Sequence, residues 1–236
     1  MNQQQPDKKN KKRVIGFIAA AIIAAALAAG ASMFYIVATM PWMNWDNTDE
    51  DRQETMPGDG LSPGPNWEYT QAITINAPAD RIFPWIDQIG QDRGGFYSYE
   101  LLENIAGCNI KNAVSVHPEW QYKGDGTEFM IMAPKAPKLP VAKVIPGIVL
   151  ITHAGNSDKY GIRPKHMSKD FYNMTWVFYL KKLDWNRTRL LVRMRLVYYP
   201  SKENEMWYGP KIMGFMNFVM GDGMLKGIKE RVEKWK

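Results

Sequence analysis

Cysteine is nearly absent from this chain: Cys108 is the single one among 236 residues. No intrachain disulfide is possible, and a cysteine-built zinc centre is excluded. A lone cysteine of this kind reads as a small core residue rather than a nucleophile. Histidine is scarce too. His117, His153 and His166 lie far apart and lack the His-Glu-x-x-His spacing of a metallohydrolase. There is no Gly-x-Ser-x-Gly elbow and no phosphate-cradling glycine loop, and "GDGMLKG" lacks the spacing and the Ser/Thr of a Walker motif. No metal and no cofactor is expected.

A contiguous basic surface for nucleic acid is also missing. The net charge is +6, but Lys8, Lys9, Lys11, Lys12 and Arg13 supply much of it from the N-terminal tail. Asp46, Asp49, Glu50, Asp51, Glu54 and Asp59 form an acidic stretch relieved only by Arg52. Elsewhere basic and acidic residues are interspersed, and no nucleic-acid-binding motif occurs, so no nucleic-acid partner is expected.

What the chain does have is one long apolar run. "VIGFIAAAIIAAALAAGASMFYIVA", Val14 to Ala38, carries no charge. As a helix it would be about 37 Å long at about 1.5 Å per residue, enough to cross a hydrocarbon core of about 30 Å. Basic residues precede it and acidic residues follow, which predicts a single-pass protein of the cell membrane. The tail 1–13 would be cytoplasmic and the remainder extracytoplasmic. Trp42 and Trp45 occupy positions suited to the lipid–water interface. "LAAGAS" resembles a signal-peptidase site, but the apolar run continues past it, so an uncleaved anchor is the preferred reading. Residues 39–65, polar and turn-rich over most of their length, read as a linker, and a folded domain is expected over 66–236.

Within that domain "WEYTQAITIN" alternates like a half-buried strand. Two short helices follow, over "APADRIFPWIDQIG" and "SYELLENIAG", the second with Ser98 as its cap and Gly107 as its end. Strands are expected over "GTEFMIM", "PVAKVIPG", "IVLITHAG", "FYNMTWVFYLKKL" and "RTRLLVRMRLVYY", the last two joined across "DWNR" as a hairpin. One face of the final strand carries Leu190, Val192, Met194, Leu196 and Tyr198. The other carries Arg189, Leu191, Arg193, Arg195 and Val197. A terminal helix closes the chain, with Pro210 in its first turn and an apolar stripe of Ile212, Phe215, Met216, Val219, Ile228 and Val232. Its glycines suggest a bend or a close approach to the sheet.

The order is strand, two short helices, a run of antiparallel strands and a long helix, an α+β arrangement matching the helix-grip fold. The segment from "PGDGLSPGPNWEYTQAITINAPADRIFPWIDQIG" through "QDRGGFYSYELLEN" resembles bacterial proteins of the SRPBCC superfamily, relatives of START, Bet v 1 and polyketide cyclase domains. "PEWQ" with its following "GD", "TRLLVR" and "LKGIKERVE" extend the resemblance over about 56–236. It implies a sheet gripping the last helix, with an apolar cavity between, in a subfamily without an assigned reaction. One departure is the basic insertion "GNSDKYGIRPKHMSKD".

On this reading the ligand-facing residues would be Phe96, Tyr97, Tyr99, Trp120, Arg193, Phe215, Met216 and Val219, soft and aromatic groups suited to a hydrophobic small molecule or lipid. A cyclase- or hydrolase-type enzyme would instead draw on Asp92, Glu103 or Glu119, the neighbouring carboxylates being Glu100 and Asp125. Glu119, if buried, would need a partner such as Arg193 or Arg195. The third possibility is a non-catalytic envelope interaction module with a closed cavity and an exposed apolar patch.

Overall fold

A computed structural model describes residues 8–39, 47–124, 126–134, 138–156 and 169–234. Trp42, Trp45, Asp125, His166 and most of the basic insertion lie outside the described residues. The chain divides into two compact units, Met1–Pro41 and Trp42–Lys236. The first holds helix α1, Lys8–Thr39. Within it Val14–Ser32 has a mean hydropathy of 2.5, and none of that stretch is buried. A long helix that is apolar on all sides and unburied is what the residues of the run dictate.

The second unit is built on a six-stranded antiparallel sheet in the order β1-β6-β5-β4-β3-β2. The strands are β1 (Trp67–Ile75), β2 (Phe129–Ile131), β3 (Lys138–Ile145), β4 (Val149–Gly155), β5 (Tyr172–Lys182) and β6 (Thr188–Tyr198). β5 and β6 form the predicted hairpin, in register from Tyr172 opposite Tyr198 to Lys182 opposite Thr188. Alternation along each strand sorts side chains to two faces. Leu190, Val192, Met194, Leu196 and Tyr198 join Trp176, Phe178 and Leu180 on the inner face. There they pack against Met224, Leu225, Ile228 and Val232 of the terminal helix α6, Phe215–Lys234. The short helices α3 (Ala79–Ile86) and α4 (Glu100–Ile105) complete the inner layer. This is a helix-grip fold.

Three local departures from the sequence reading have physical causes. Ser98 does not cap α4; Tyr99 stands at the N-cap, and the Ser98 hydroxyl donates to the Met220 carbonyl at 2.9 Å. Before α6, Pro210–Gly214 forms a π turn following α5, Lys202–Tyr208. A π turn inserts an extra residue and rotates the helix face that follows. The early part of the expected stripe is therefore out of phase: Met213 and Phe218 pack on the core, whereas Met216 is exposed. Further along, Gly227 lies where a Cβ would meet the Tyr97 carbonyl oxygen at 2.0 Å, so no larger residue fits that close approach.

The third departure concerns the expected linker. Its described part is folded. Thr48 caps the short helix α2 (Asp49–Gln53) through a reciprocal pair: Asp51 N donates to Thr48 Oγ1 at 3.1 Å, and Thr48 N to Asp51 Oδ2 at 2.9 Å. Met56 is buried on the outer face of the sheet with Ala72, Val149, Ile151, Val177 and Leu191. The arginines of β6 hold the segment in place. Arg193, 2% exposed, donates through Nη1 to Glu54 O (2.8 Å) and Asp59 Oδ2 (2.9 Å), and through Nη2 to Asp51 O (3.1 Å) and Arg52 O (3.0 Å). Its Nε reaches Thr70 Oγ1 at 2.9 Å. Arg189 pairs with Asp51 at 2.6 Å, and Arg195 Nε donates to Ser62 O at 3.1 Å. Burial opposes the charge on Asp51, but Arg189 and the Thr48 amide hold its pKa below the ordinary value.

Removing one partner of such a buried network leaves the others desolvated and unpaired, typically at a cost of about 3–5 kcal/mol. Arg193→Met is expected to lose stability of that order in chemical denaturation and to open the chain around Arg52 to trypsin. Unchanged stability with continued protection at Arg52 would show that Arg193 does not hold the segment.

Candidate functional site

The stretch from Gln88 to Tyr99 joins α3 to α4 and is closed by a network of hydrogen bonds. Gly90 and Gly95 exchange backbone hydrogen bonds of 3.1 and 2.9 Å, closing the turn that presents Asp92 and Arg93. Gly95 has φ +72° and sits against Asn112 Oδ1 and Lys111 O. Buried Gln88 organises the turn from beneath. Its Nε2 donates to Tyr97 Oη (2.8 Å) and Ser115 O (3.0 Å), and its Oε1 accepts from His117 N (2.8 Å). Asn112 accepts from Tyr97 N at 2.6 Å and donates to Ser98 O at 3.1 Å. Arg231 of α6 donates to Ala113 O at 2.9 Å and lies 4.9 Å from the Tyr97 ring centroid, pinning the corner to the terminal helix.

The expected carboxylates do not converge. Asp92 is exposed. Arg93 turns away from it, donating to Trp120 O (2.6 Å), pairing with Glu128 (3.3 Å) and covering the Tyr122 ring at 4.1 Å. Glu119 is exposed; its own backbone amide, together with His117 at 3.2 Å, holds its pKa down. It does not meet Arg193 or Arg195, because those arginines lie on the sheet's outer face with the 47–62 segment. Glu103 faces inward from α4 and is buried. Burial, reinforced by Glu100, pushes its pKa to about 7, and its Oε2 has no partner among the described residues.

The residues proposed to touch a ligand are scattered as well. Phe96 and Tyr97 are core: Phe96 stacks on Trp176 at 6.2 Å, and Trp85 meets Tyr97 edge-on at 5.7 Å. Trp120 is half-buried and stacks on His117 at 3.9 Å. Phe215 and Val219 are half-buried, while Tyr99 and Met216 are exposed. Arg193 is on the opposite face of the sheet.

One group was missed. Asp87 caps the C-terminal end of α3, is 6% exposed, and leaves Oδ1 unpartnered. Burial is the main cause that pushes its pKa to about 7; the Tyr122 amide opposes this, and Glu128 adds to it. The signal was available in "PWIDQIG", because a carboxylate at a helix C-terminus faces the unfavourable end of the dipole.

The inner face itself is occupied by side chains. Two depressions of about 290 Å³ each open among the described residues. One is a surface hollow at strand ends beside Gly147, Lys182 and Trp185; the other is lined by Arg81, Trp85, Ser115, Val116 and Val232. Among the described residues no His/Cys/Asp/Glu group forms a metal-binding cluster. α4 turns Leu101 (73% exposed) and Ile105 (76% exposed) to solvent while burying its Glu103.

Solved structures similar to this chain include the ZhuI aromatase/cyclase from Streptomyces sp. R1128. It is 11% identical, with 71% of this chain and 94% of that one covered and a TM-score of 0.39. The hypothetical protein jhp0584 from Helicobacter pylori is 12% identical, with coverages of 75% and 94% and a TM-score of 0.45. Ara h 8.0201 is 11% identical, with coverages of 71% and 98% and a TM-score of 0.37. No family model and no curated protein matches the chain. The likeness is one of fold alone, and no residue's role follows from it.

Asp87 and Glu103 make stability depend on pH in a definite direction. For each acid the folded pKa, about 7, lies above its ordinary value of 3.8 or 4.5. Between about pH 4 and 7 the folded state therefore holds more protons than the unfolded one, so these groups lower stability as pH rises through that window. Asp87→Asn is expected to gain stability relative to wild type from pH 4.5 to pH 8, by several degrees in Tm. Parallel curves would show that Asp87 ionises normally.

Proposed function

We propose that this chain is a single-pass membrane protein whose helix-grip domain acts as a non-catalytic interaction module. The observation that carries the reading is the filled grip. Trp85, Phe96, Tyr97, Tyr122, Met130, Trp176 and Phe178 close its interior with almost no accessible surface. Acid–base chemistry would need carboxylates sharing a solvent-reachable pocket, whereas Asp92 and Glu119 are exposed and Glu103 is buried. A small apolar ligand would have to displace close-packed aromatics, which makes ligand carriage the weaker reading. The apolar, unburied α1 supports anchoring in the cell membrane. The basic tail before it and the acidic residues after it support a cytoplasmic N-terminus and an extracytoplasmic domain.

Native mass spectrometry of residues 47–236, a unit with its own sheet and core, tests the proposal. The mass expected is that of the polypeptide alone, in a preparation from cells and after incubation with fatty acid or phospholipid. A stoichiometric apolar adduct would overturn the filled-grip reading in favour of ligand carriage.

A further inference from the structure

α5 (Lys202–Tyr208) has no buried residue. Its last turn exposes Met206, Trp207 (53%) and Tyr208, and Met216 at the start of α6 is exposed beyond the π turn. Tyr208 lies 6.2 Å from the buried Tyr198 ring, but Met206 and Trp207 keep about half of their surface open to solvent.

The position of this patch bears on what covers it. α5 is fixed to the edge strand β1, where Trp67 Nε1 donates to Tyr208 O. On the same strand Thr70 O accepts from Asn47 Nδ2. Three residue steps along the strand take Trp67 to Thr70, about 10 Å at about 3.3 Å per residue. Asn47, through which the chain leads back toward α1, is thus bonded to β1 close to the residue that holds α5. Because the 47–62 segment is folded onto the sheet, only the stretch between Thr39 and Asn47 separates α1 from the domain. That stretch reaches at most about 30 Å in any conformation.

We infer that Met206, Trp207, Tyr208 and Met216 form a docking surface for the lipid–water interface of the membrane that α1 crosses. The inference rests on the anchored reading above. Trp and Tyr partition to the interfacial zone and Met adapts to irregular apolar contact, so the composition fits a bilayer surface. The short connection keeps the patch within reach of that surface and raises the effective concentration of an otherwise weak contact. The exposed ridge on α4 is tied to no such point of attachment and is left out.

The test uses the full chain reconstituted in phosphatidylcholine vesicles. Single cysteines, in a Cys108→Ala background, carry an environment-sensitive fluorophore. Ala24→Cys reports the α1 span and Trp207→Cys the patch. Lys182→Cys reports the far end of the sheet, beyond the β1 residue Ile75. Nitroxide-labelled lipid is expected to quench the probes at 24 and 207 strongly and the probe at 182 by less than a tenth. Quenching at 24 without quenching at 207 overturns the docking surface while leaving the anchor intact. No quenching at 24 overturns the anchored reading itself. Equal quenching at 207 and 182 overturns docking through this patch in favour of general adsorption. Should Cys108→Ala disturb folding, brominated phosphatidylcholine and the native tryptophans give the same answer. Trp207→Phe must then remove a measurable share of the quenching, and an unchanged share contradicts the proposal.

Discussion

The second unit depends on one buried cation. Arg193 sits on the face of β6 turned away from the grip, where an unpaired guanidinium would be prohibitively costly to desolvate. Backbone carbonyls of Asp51, Arg52 and Glu54 and the carboxylate of Asp59 surround it. The sheet therefore has two covers: α6 with the short helices on the inside, and the 47–62 segment on the outside. Each buries its own apolar cluster. The outer cluster exists only because the segment is fastened by Arg189, Arg193 and Arg195.

That fastening changes what kind of protein this is. A flexible tether over 39–65 would let a domain sample a wide shell above a bilayer, whereas a docked segment leaves a short connection. The inner face, meanwhile, is spent on packing. Aromatics that lent themselves to a ligand reading in sequence, Phe96 and Tyr97 above all, are core side chains held by Trp176, Trp85 and Gln88. The domain's available chemistry is thereby moved to its exterior, where apolar residues stand exposed on α4 and α5.

Much of this was legible before any coordinates. The period-two runs of β5 and β6 with "DWNR" between them specify a hairpin, and the uncharged run from Val14 specifies a long apolar helix. The glycines of α6 pointed to close approach, and Gly227 against Tyr97 is such a place. The described part of the expected linker, 47–65, misled because its local composition is that of a loop, while the arginines that hold it lie on β6, over a hundred residues downstream. The clue was the alternation Arg189, Arg193, Arg195 on one strand face, a set of cations in need of the acids at 49–59. The candidate carboxylates were legible only as residue types, since burial decides their state: Glu103 turned inward, Glu119 outward, and Asp87 drew no notice beside its apolar neighbours. The phase of α6 escaped because nothing in "YGPKIMG" announces a π turn.

The most direct test of the account is amide hydrogen exchange on the full chain in lipid. Residues 51–61 contain amides bonded within the segment, among them Asp51, Glu54, Met56, Asp59 and Leu61. If the Arg193-centred dock is integral to the domain, these amides exchange as slowly as those of the sheet, through the same cooperative opening. Exchange at the rate of an unstructured peptide, with β6 still protected, would contradict the docked segment and the short connection that follows from it.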